Sequence, residues 1–212
     1  MKLYGFWRSS AAYRVRIALN LKGLDAEQSF VHLRKGEQRA PDFLTLNPQG
    51  LVPALIEGDR AFTQSLAIVE YLEETHPAPA FLPKDAMARA RVRALALAIA
   101  CDIHPLNNLR VLVYLKREMK QEQATIDEWY RHWVREGFTG IEQMLATSKE
   151  TGKFCHGDAP GLADICLVPQ IYNAQRLACD LATYPTIMRI HAACQALPAF
   201  QKAAPEKQGD AE

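Results

Sequence analysis

Pro77, Pro79 and Pro83 crowd into one short stretch after His76. Proline cannot continue a helix and stiffens a connection, so the chain is expected to divide there. The two sides carry different periodicities. Before the prolines, a strand around Leu3 to Phe6 leads into a helix with Ala11, Val15, Ala18 and Leu19 on its apolar face, ended by Gly23. A second strand is expected from about Gln28 to Leu33, then a polar loop, Lys35-Gly36-Glu37-Gln38, and a short helical piece ending near Leu46. Val52 to Glu57, the turn Gly58-Asp59 and Arg60 to Phe62 read as a hairpin, because such a turn needs positive φ. Ser65 opens another helix with Ile68, Tyr71 and Leu72 on one face. The order β-α-β, then β-β-α, predicts an α/β unit with a mixed four-stranded sheet.

After the prolines nearly everything is helical. The expected helices are Ala86 to about Leu115, kinked at Pro105, then Ala124 to Ala146, Leu162 to Leu177 and Tyr184 to Ala196. The tail from Pro205 to Glu212 is expected to be disordered. The domains predicted are therefore residues 1–82, α/β, and 87–212, all-α.

A chain of 212 residues is long enough to fold without disulfides or metals. Its 25 Lys and Arg against 24 Asp and Glu give a net charge of +1, with no broad field for nucleic acid or an anionic membrane. No apolar run approaches the roughly 20 residues of a spanning helix, and the first residues lack signal-peptide character, so a cytoplasmic location is expected. The five cysteines, Cys101, Cys155, Cys166, Cys179 and Cys194, include no closely spaced ligand pair, and the histidines are scattered singly, so no metal site is expected. Reduced, mostly buried thiols are the expectation. All five lie in the second half. Thiol chemistry in the first half must come from a ligand.

Five segments carry a resemblance. Arg8-Ser9-Ser10-Ala11-Ala12-Tyr13-Arg14-Val15-Arg16 stands at the start of the first helix, Leu46-Asn47-Pro48-Gln49-Gly50-Leu51-Val52-Pro53 precedes the third strand, and Phe62-Thr63-Gln64-Ser65-Leu66-Ala67-Ile68 opens the next helix. In the second half, Gly157-Asp158-Ala159-Pro160-Gly161-Leu162-Ala163-Asp164 and Asn173-Ala174-Gln175-Arg176 follow the same pattern. Together they resemble the glutathione transferase superfamily, in detail its zeta class. The resemblance implies a thioredoxin-like first domain, an all-α second domain, glutathione as cofactor and a homodimer. One departure is that Ala11 stands where the family has cysteine.

By that resemblance Ser9 donates to the glutathione sulfur, with Ser10 and Ala11 lining the same helix mouth. Read alone, Ser9 is equally an N-cap. Pro53 is implied to be cis, leaving the Val52 backbone to pair with the cysteinyl unit like an added strand. Gln64 and Ser65 are assigned to the γ-glutamyl carboxylate at a helix N-terminus, and Gln38 to the peptide, although a solvated loop glutamine reads the same way. Asp102, His104, Asn108 and Arg110, around Pro105, are candidates to hold glutathione or substrate. Arg8 and Arg176 are implied to clamp the carboxylates of a small diacid, since guanidinium binds carboxylate through two hydrogen bonds. Arg14 and Arg16, by contrast, read as solvated or salt-bridged. Asp164 is expected to cap its helix although Gly161 replaces the family's hydroxyl residue. The activity implied is glutathione-dependent cis-trans isomerisation of maleylpyruvate to fumarylpyruvate in aromatic-acid breakdown. Maleylacetoacetate isomerisation, or glutathione conjugation, is the alternative.

Overall fold

A computed structural model describes residues 1–212. The chain forms two compact units, one of Met1–Phe81 together with Gln195–Glu212 and one of Leu82–Cys194.

The first unit is built on strands β1 (Lys2–Gly5), β2 (Glu27–Phe30), β3 (Ala54–Glu57) and β4 (Arg60–Thr63), in the order β2-β1-β3-β4. β1 runs parallel to β2, with Lys2 opposite Glu27, and antiparallel to β3, with Leu3 opposite Leu55. This mixed, thioredoxin-like sheet follows from the connections. A parallel pair needs a crossover, supplied by helix α1 (Ser10–Lys22), whereas β3 and β4 meet across two residues with Glu57 opposite Arg60. Only Gly58 in that turn has positive φ, 60°, so glycine is required there and Asp59 is not strained. Helices α2 (Pro41–Leu46) and α3 (Ser65–Thr75) complete the first 81 residues. β2 stops at Phe30 rather than Leu33 because His32 starts a 3-10 turn, its Nδ1 accepting from the Lys35 N–H at 3.3 Å.

α1 is buried along its whole middle, from Ala12 to Leu19. Arg14 and Arg16 are 2% and 6% exposed, so of the two expectations, solvated or salt-bridged, the solvated one does not hold. Arg16 donates from Nε to the Ala203 carbonyl (3.0 Å) and from Nη2 to the Trp7 carbonyl (2.9 Å), satisfying a guanidinium that water cannot reach.

Ala203 belongs to α9 (Pro198–Ala203), which packs on α1, where Asn20 Nδ2 donates to the Ala199 carbonyl at 2.9 Å. The tail beyond it is ordered, contrary to expectation. Pro205–Lys207 makes a 3-10 turn, Asp210 accepts from the Trp7 N–H, and Glu212 pairs with His32. The helical unit therefore ends near Cys194 instead of running to Glu212.

In the second unit, α4 (Ala86–Leu97) is capped by Asp85, whose carboxylate accepts from the Ala88 N–H at 2.8 Å. The helix expected to bend at Pro105 breaks instead. A π-helical turn spans Ala98–Ile103, and after a non-helical connection α5 (Leu109–Arg117) begins afresh under Asn108. Proline has no N–H to continue a ladder, and an asparagine three residues on supplies a new cap, so two helices form where one was expected. α6 (Gln123–Ala146), α7 (Leu162–Arg176) and α8 (Pro185–Gln195) follow. Asp164 caps α7 as expected, accepting from the Gly161 N–H (2.9 Å) and also from the Cys155 N–H (2.9 Å). No helix is long and apolar enough to cross a membrane.

Candidate functional site

The β1-to-α1 junction, Trp7-Arg8-Ser9, forms one corner of the first unit. Ser9 is the N-cap of α1, with φ −70° and ψ 117°, and its Oγ accepts from the Ala12 N–H at 3.2 Å. The two readings of Ser9 are thus compatible. A hydroxyl has two acceptor lone pairs and one proton, so capping leaves the proton to donate outward. No acidic residue stands in the first turn of α1, so no carboxylate of that turn offsets the positive end of its dipole. Ser10 is buried behind Ser9, and Ala11 is partly exposed beside it. The Arg8 guanidinium lies over the Trp7 ring, 5.5 Å from its centroid.

α3 supplies a second anion-favouring helix end, again with no acid in its first turn. Ser65 is its first residue, 6% exposed, and receives a hydrogen bond from Arg14 Nη1 at 3.3 Å. The preceding Gln64 has φ 67° and ψ 114°, a conformation L-residues avoid and one that marks functional sites more often than loops at large. Its Nε2 donates to Gln49 Oε1 at 2.8 Å, tying α3 to the segment before β3.

That segment is shaped by Gly50, whose φ is 61° and whose missing side chain is filled by Arg39. A Cβ there would lie 2.8 Å from Arg39 Nη1 and 3.0 Å from the Gln38 carbonyl oxygen. Glycine thereby admits the loop bearing Gln38, whose side-chain oxygen is buried without a partner in the protein. Buried polar atoms are rarely left so, and a ligand donor would complete it. The Val52–Pro53 bond is cis, and Val52 joins Phe6, Trp7, Val31 and Phe43 in one apolar cluster. The first unit therefore gathers Ser9, Gln64, Ser65, Val52 and Gln38 on a single scaffold. Two helix N-termini with no acid in their first turns suit a thiolate and a carboxylate. These are the groups glutathione carries.

In the second unit the break around Pro105 brings His104 Nε2 within 3.5 Å of Asn108 Nδ2, while Asn108 Oδ1 accepts from the Arg110 N–H at 3.1 Å. Asp102 and Arg110 are exposed. Arg176, the last residue of α7, is also exposed. The buried Tyr130 hydroxyl is its electrostatic neighbour, and burial pushes that phenol up to about 12, so it is neutral in the physiological range.

The cysteines separate by burial. Cys155, Cys166 and Cys194 are buried, Cys179 is partly so, and Cys101 is exposed. Burial pushes the thiols of Cys155, Cys179 and Cys194 up, away from the nucleophilic thiolate.

Two residues that touch the site were not singled out from the sequence as partners of it, Arg14 and Asp210. The signal for Arg14 was present. A helix apolar on all sides is buried, and any charge it carries is buried with it.

Residues 1–74 match the family described as the glutathione S-transferase N-terminal domain. A probable maleylacetoacetate isomerase of Vibrio cholerae is 52% identical over 99% of this chain and 97% of its own. The holo structure of a maleylpyruvate isomerase, described as a bacterial zeta-class glutathione S-transferase, superposes with TM-score 0.98 at 50% identity, covering all of both chains. The maleylacetoacetate isomerase of Methylobacterium extorquens AM1, with malonate and GSH bound, gives 0.97 at 45% identity, again over both whole chains.

Proposed function

The chain belongs to the zeta class of the glutathione transferase superfamily, and from that premise we propose that it is a glutathione-dependent isomerase converting maleylpyruvate to fumarylpyruvate, with maleylacetoacetate as the alternative substrate. The observation that carries the reading is the Ser9 hydroxyl, which caps α1 and still keeps a proton to donate. When bound, glutathione supplies a thiolate that adds reversibly to the cis double bond and leaves after rotation.

The chain's own residues then have separable tasks. Ser9 donates to the sulfur anion, and the N-terminal end of α1 adds positive potential, so both lower the thiol's proton affinity. Ser10 and Ala11 line the same mouth. Ser65, Gln64 and the first N–H groups of α3 hold the γ-glutamyl carboxylate, Val52 pairs backbone to backbone with the cysteinyl unit, and the buried Gln38 oxygen accepts from the peptide. Arg8 and Arg176 take the diacid's carboxylates, with Asp102, His104, Asn108 and Arg110 assigned to the glutathione side. A guanidinium suits recognition of a dianion because it meets a carboxylate through two hydrogen bonds. A protein thiol is not required, since Ala11 occupies the family's cysteine position and the five cysteines lie elsewhere. A cytoplasmic homodimer acting in aromatic-acid breakdown is the setting this proposal implies.

The test is an absorbance assay on both substrates with glutathione at catalytic concentration. The expected result is many turnovers per glutathione with none consumed. Stoichiometric loss of glutathione would instead identify a conjugating transferase, and no turnover of either diacid would end the reading.

A further inference from the structure

We infer that the C-terminal segment is a brace for the thiol-activating corner, with Asp210 and Arg16 as positioning residues. The inference rests on reading Ser9 as the donor to the glutathione sulfur. Its observations are separate from that reading. Trp7, two residues before Ser9, is held at both of its peptide groups by side chains. Its N–H donates to Asp210 Oδ2 at 3.0 Å, and its carbonyl accepts from Arg16 Nη2 at 2.9 Å. Asp210 belongs to the C-terminal segment, and Arg16 is itself fixed to that segment through the Ala203 carbonyl at 3.0 Å. Both restraints on Trp7 thus lead to residues 203–210.

What Trp7 holds makes the restraint matter. Its ring packs in the cluster that contains Val52, and the Arg8 guanidinium lies over the ring, 5.5 Å from the centroid. A shift of residue 7 would move the Ser9 cap, the Arg8 cation and the Val52 edge together. The tail also reaches the loop carrying Gln38, since Glu212 Oε1 meets His32 Nε2 at 2.6 Å at the start of that loop. Catalytic donors misplaced by a fraction of an ångström lose most of their effect on a charge that develops nearby. A segment serving stability alone would not need to grip both peptide groups beside the donor.

The experiment compares Asp210→Ala, Asp210→Asn and Ser9→Ala by three readouts, namely the pH midpoint of thiolate absorbance from bound glutathione, kcat, and the urea unfolding midpoint. Asp210→Asn keeps a carbonyl oxygen able to accept from the Trp7 N–H, and Asp210→Ala does not. The expected result is that Asp210→Ala raises the thiol midpoint and lowers kcat by about tenfold, the scale set by misaligned donors, while Asp210→Asn restores both. An unfolding midpoint that falls in Asp210→Ala with thiol midpoint and kcat unchanged would overturn the brace and leave a structural contact. If Ser9→Ala does not move the thiol midpoint, the reading of Ser9 fails first. If Ser9→Ala moves it and Asp210→Ala does not, only the brace fails. Arg16→Lys gives an independent check, because it keeps the charge but loses one of the two bonds, and its kcat is expected to fall while glutathione still binds.

Discussion

The guanidinium of Arg14, carried by α1, donates to the hydroxyl of Ser65, the first residue of α3, at 3.3 Å and almost wholly out of water. This bond joins the helix assigned above to the glutathione sulfur to the helix assigned to its γ-glutamyl carboxylate. Because Ser65 accepts from Arg14, its own proton is left for the carboxylate. Hydrogen bonds to charged groups are worth about 1.5 to 3 kcal/mol, so Arg14→Met is expected to weaken glutathione about tenfold or more. Titration calorimetry with glutathione and with Cys-Gly, which lacks the γ-glutamyl unit, checks the route. Loss of affinity for glutathione alone supports it, and equal loss for both peptides refutes it.

Ser9→Ala removes the proposed donor to the sulfur anion. The expected outcome is a higher apparent pKa of the bound thiol and a turnover lowered about 10- to 100-fold at neutral pH, as for loss of one charge-assisted bond. The cap is lost as well, which costs about 1 kcal/mol of stability. Ser9→Thr keeps both functions of the hydroxyl, and its pH–rate profile is expected to stay near that of the parent. Identical profiles for Ser9→Ala and the parent would remove Ser9 from the mechanism.

Gly50→Ala would place a methyl against Arg39 Nη1 and the Gln38 carbonyl, at a residue whose φ is 61°. Positive φ costs a non-glycine residue about 1 to 2 kcal/mol before any clash is counted. The expected effect is an unfolding free energy lowered by that amount or more, read as a lower urea midpoint, together with weaker glutathione binding, because the Gln38 loop must move. Unchanged glutathione affinity in a measurably destabilised variant would detach Gln38 from the site.

Parts of this architecture were legible in the sequence for local reasons. Gly58-Asp59 between two apolar runs specifies a hairpin, and Ser9 and Ser65 before helical periodicity specify helix starts. Other parts depend on partners far away in the chain. Trp7 and Asp210 are 203 positions apart, and no periodicity in residues 205–212 signals that pairing, so a polar tail read as disordered. The break after Ile103 was half legible. Pro105 announced it, but whether a helix bends or ends depends on what caps the next turn, here Asn108, whose asparagine was read only as a ligand. Arg14 and Arg16 were misjudged because arginine is exposed on average, and the apolar surroundings of α1 outweigh that average.

The buried thiols predict alkaline weakening. Burial raises the proton affinity of Cys155 and Cys194 in the folded chain, whereas unfolded cysteine titrates near about pH 8.5. The stability they contribute is therefore complete below that pH and is lost as pH rises, since the unfolded state releases protons first. Each such thiol adds a slope of about 1.4 kcal/mol per pH unit above the unfolded pKa. Urea unfolding measured from about pH 8 to about pH 10.5 checks this, with Cys194→Ala expected to flatten the slope although a cavity lowers its stability throughout. In the native protein, iodoacetamide is expected to label the exposed Cys101 well before Cys155, Cys166 or Cys194.

Arg8 and Arg176 are assigned to the substrate rather than to glutathione, and that assignment has a distinct signature. Replacing either by Met is expected to raise KM and lower kcat for maleylpyruvate, since an unpaired carboxylate beside a lost guanidinium costs about 2 to 5 kcal/mol. Glutathione affinity is expected to stay within about threefold, a change worth under about 0.7 kcal/mol. A neutral alkene electrophile serves as control, because it needs the thiolate but offers no charge to clamp. The double variant is expected to retain its activity on that compound. If activity on the neutral electrophile fell as far as that on maleylpyruvate, the arginines would be shaping the fold and not reading the diacid. If glutathione binding itself collapsed, at least one of them would belong to the cofactor, and the exposed Arg110 would become the next cation to test against the substrate.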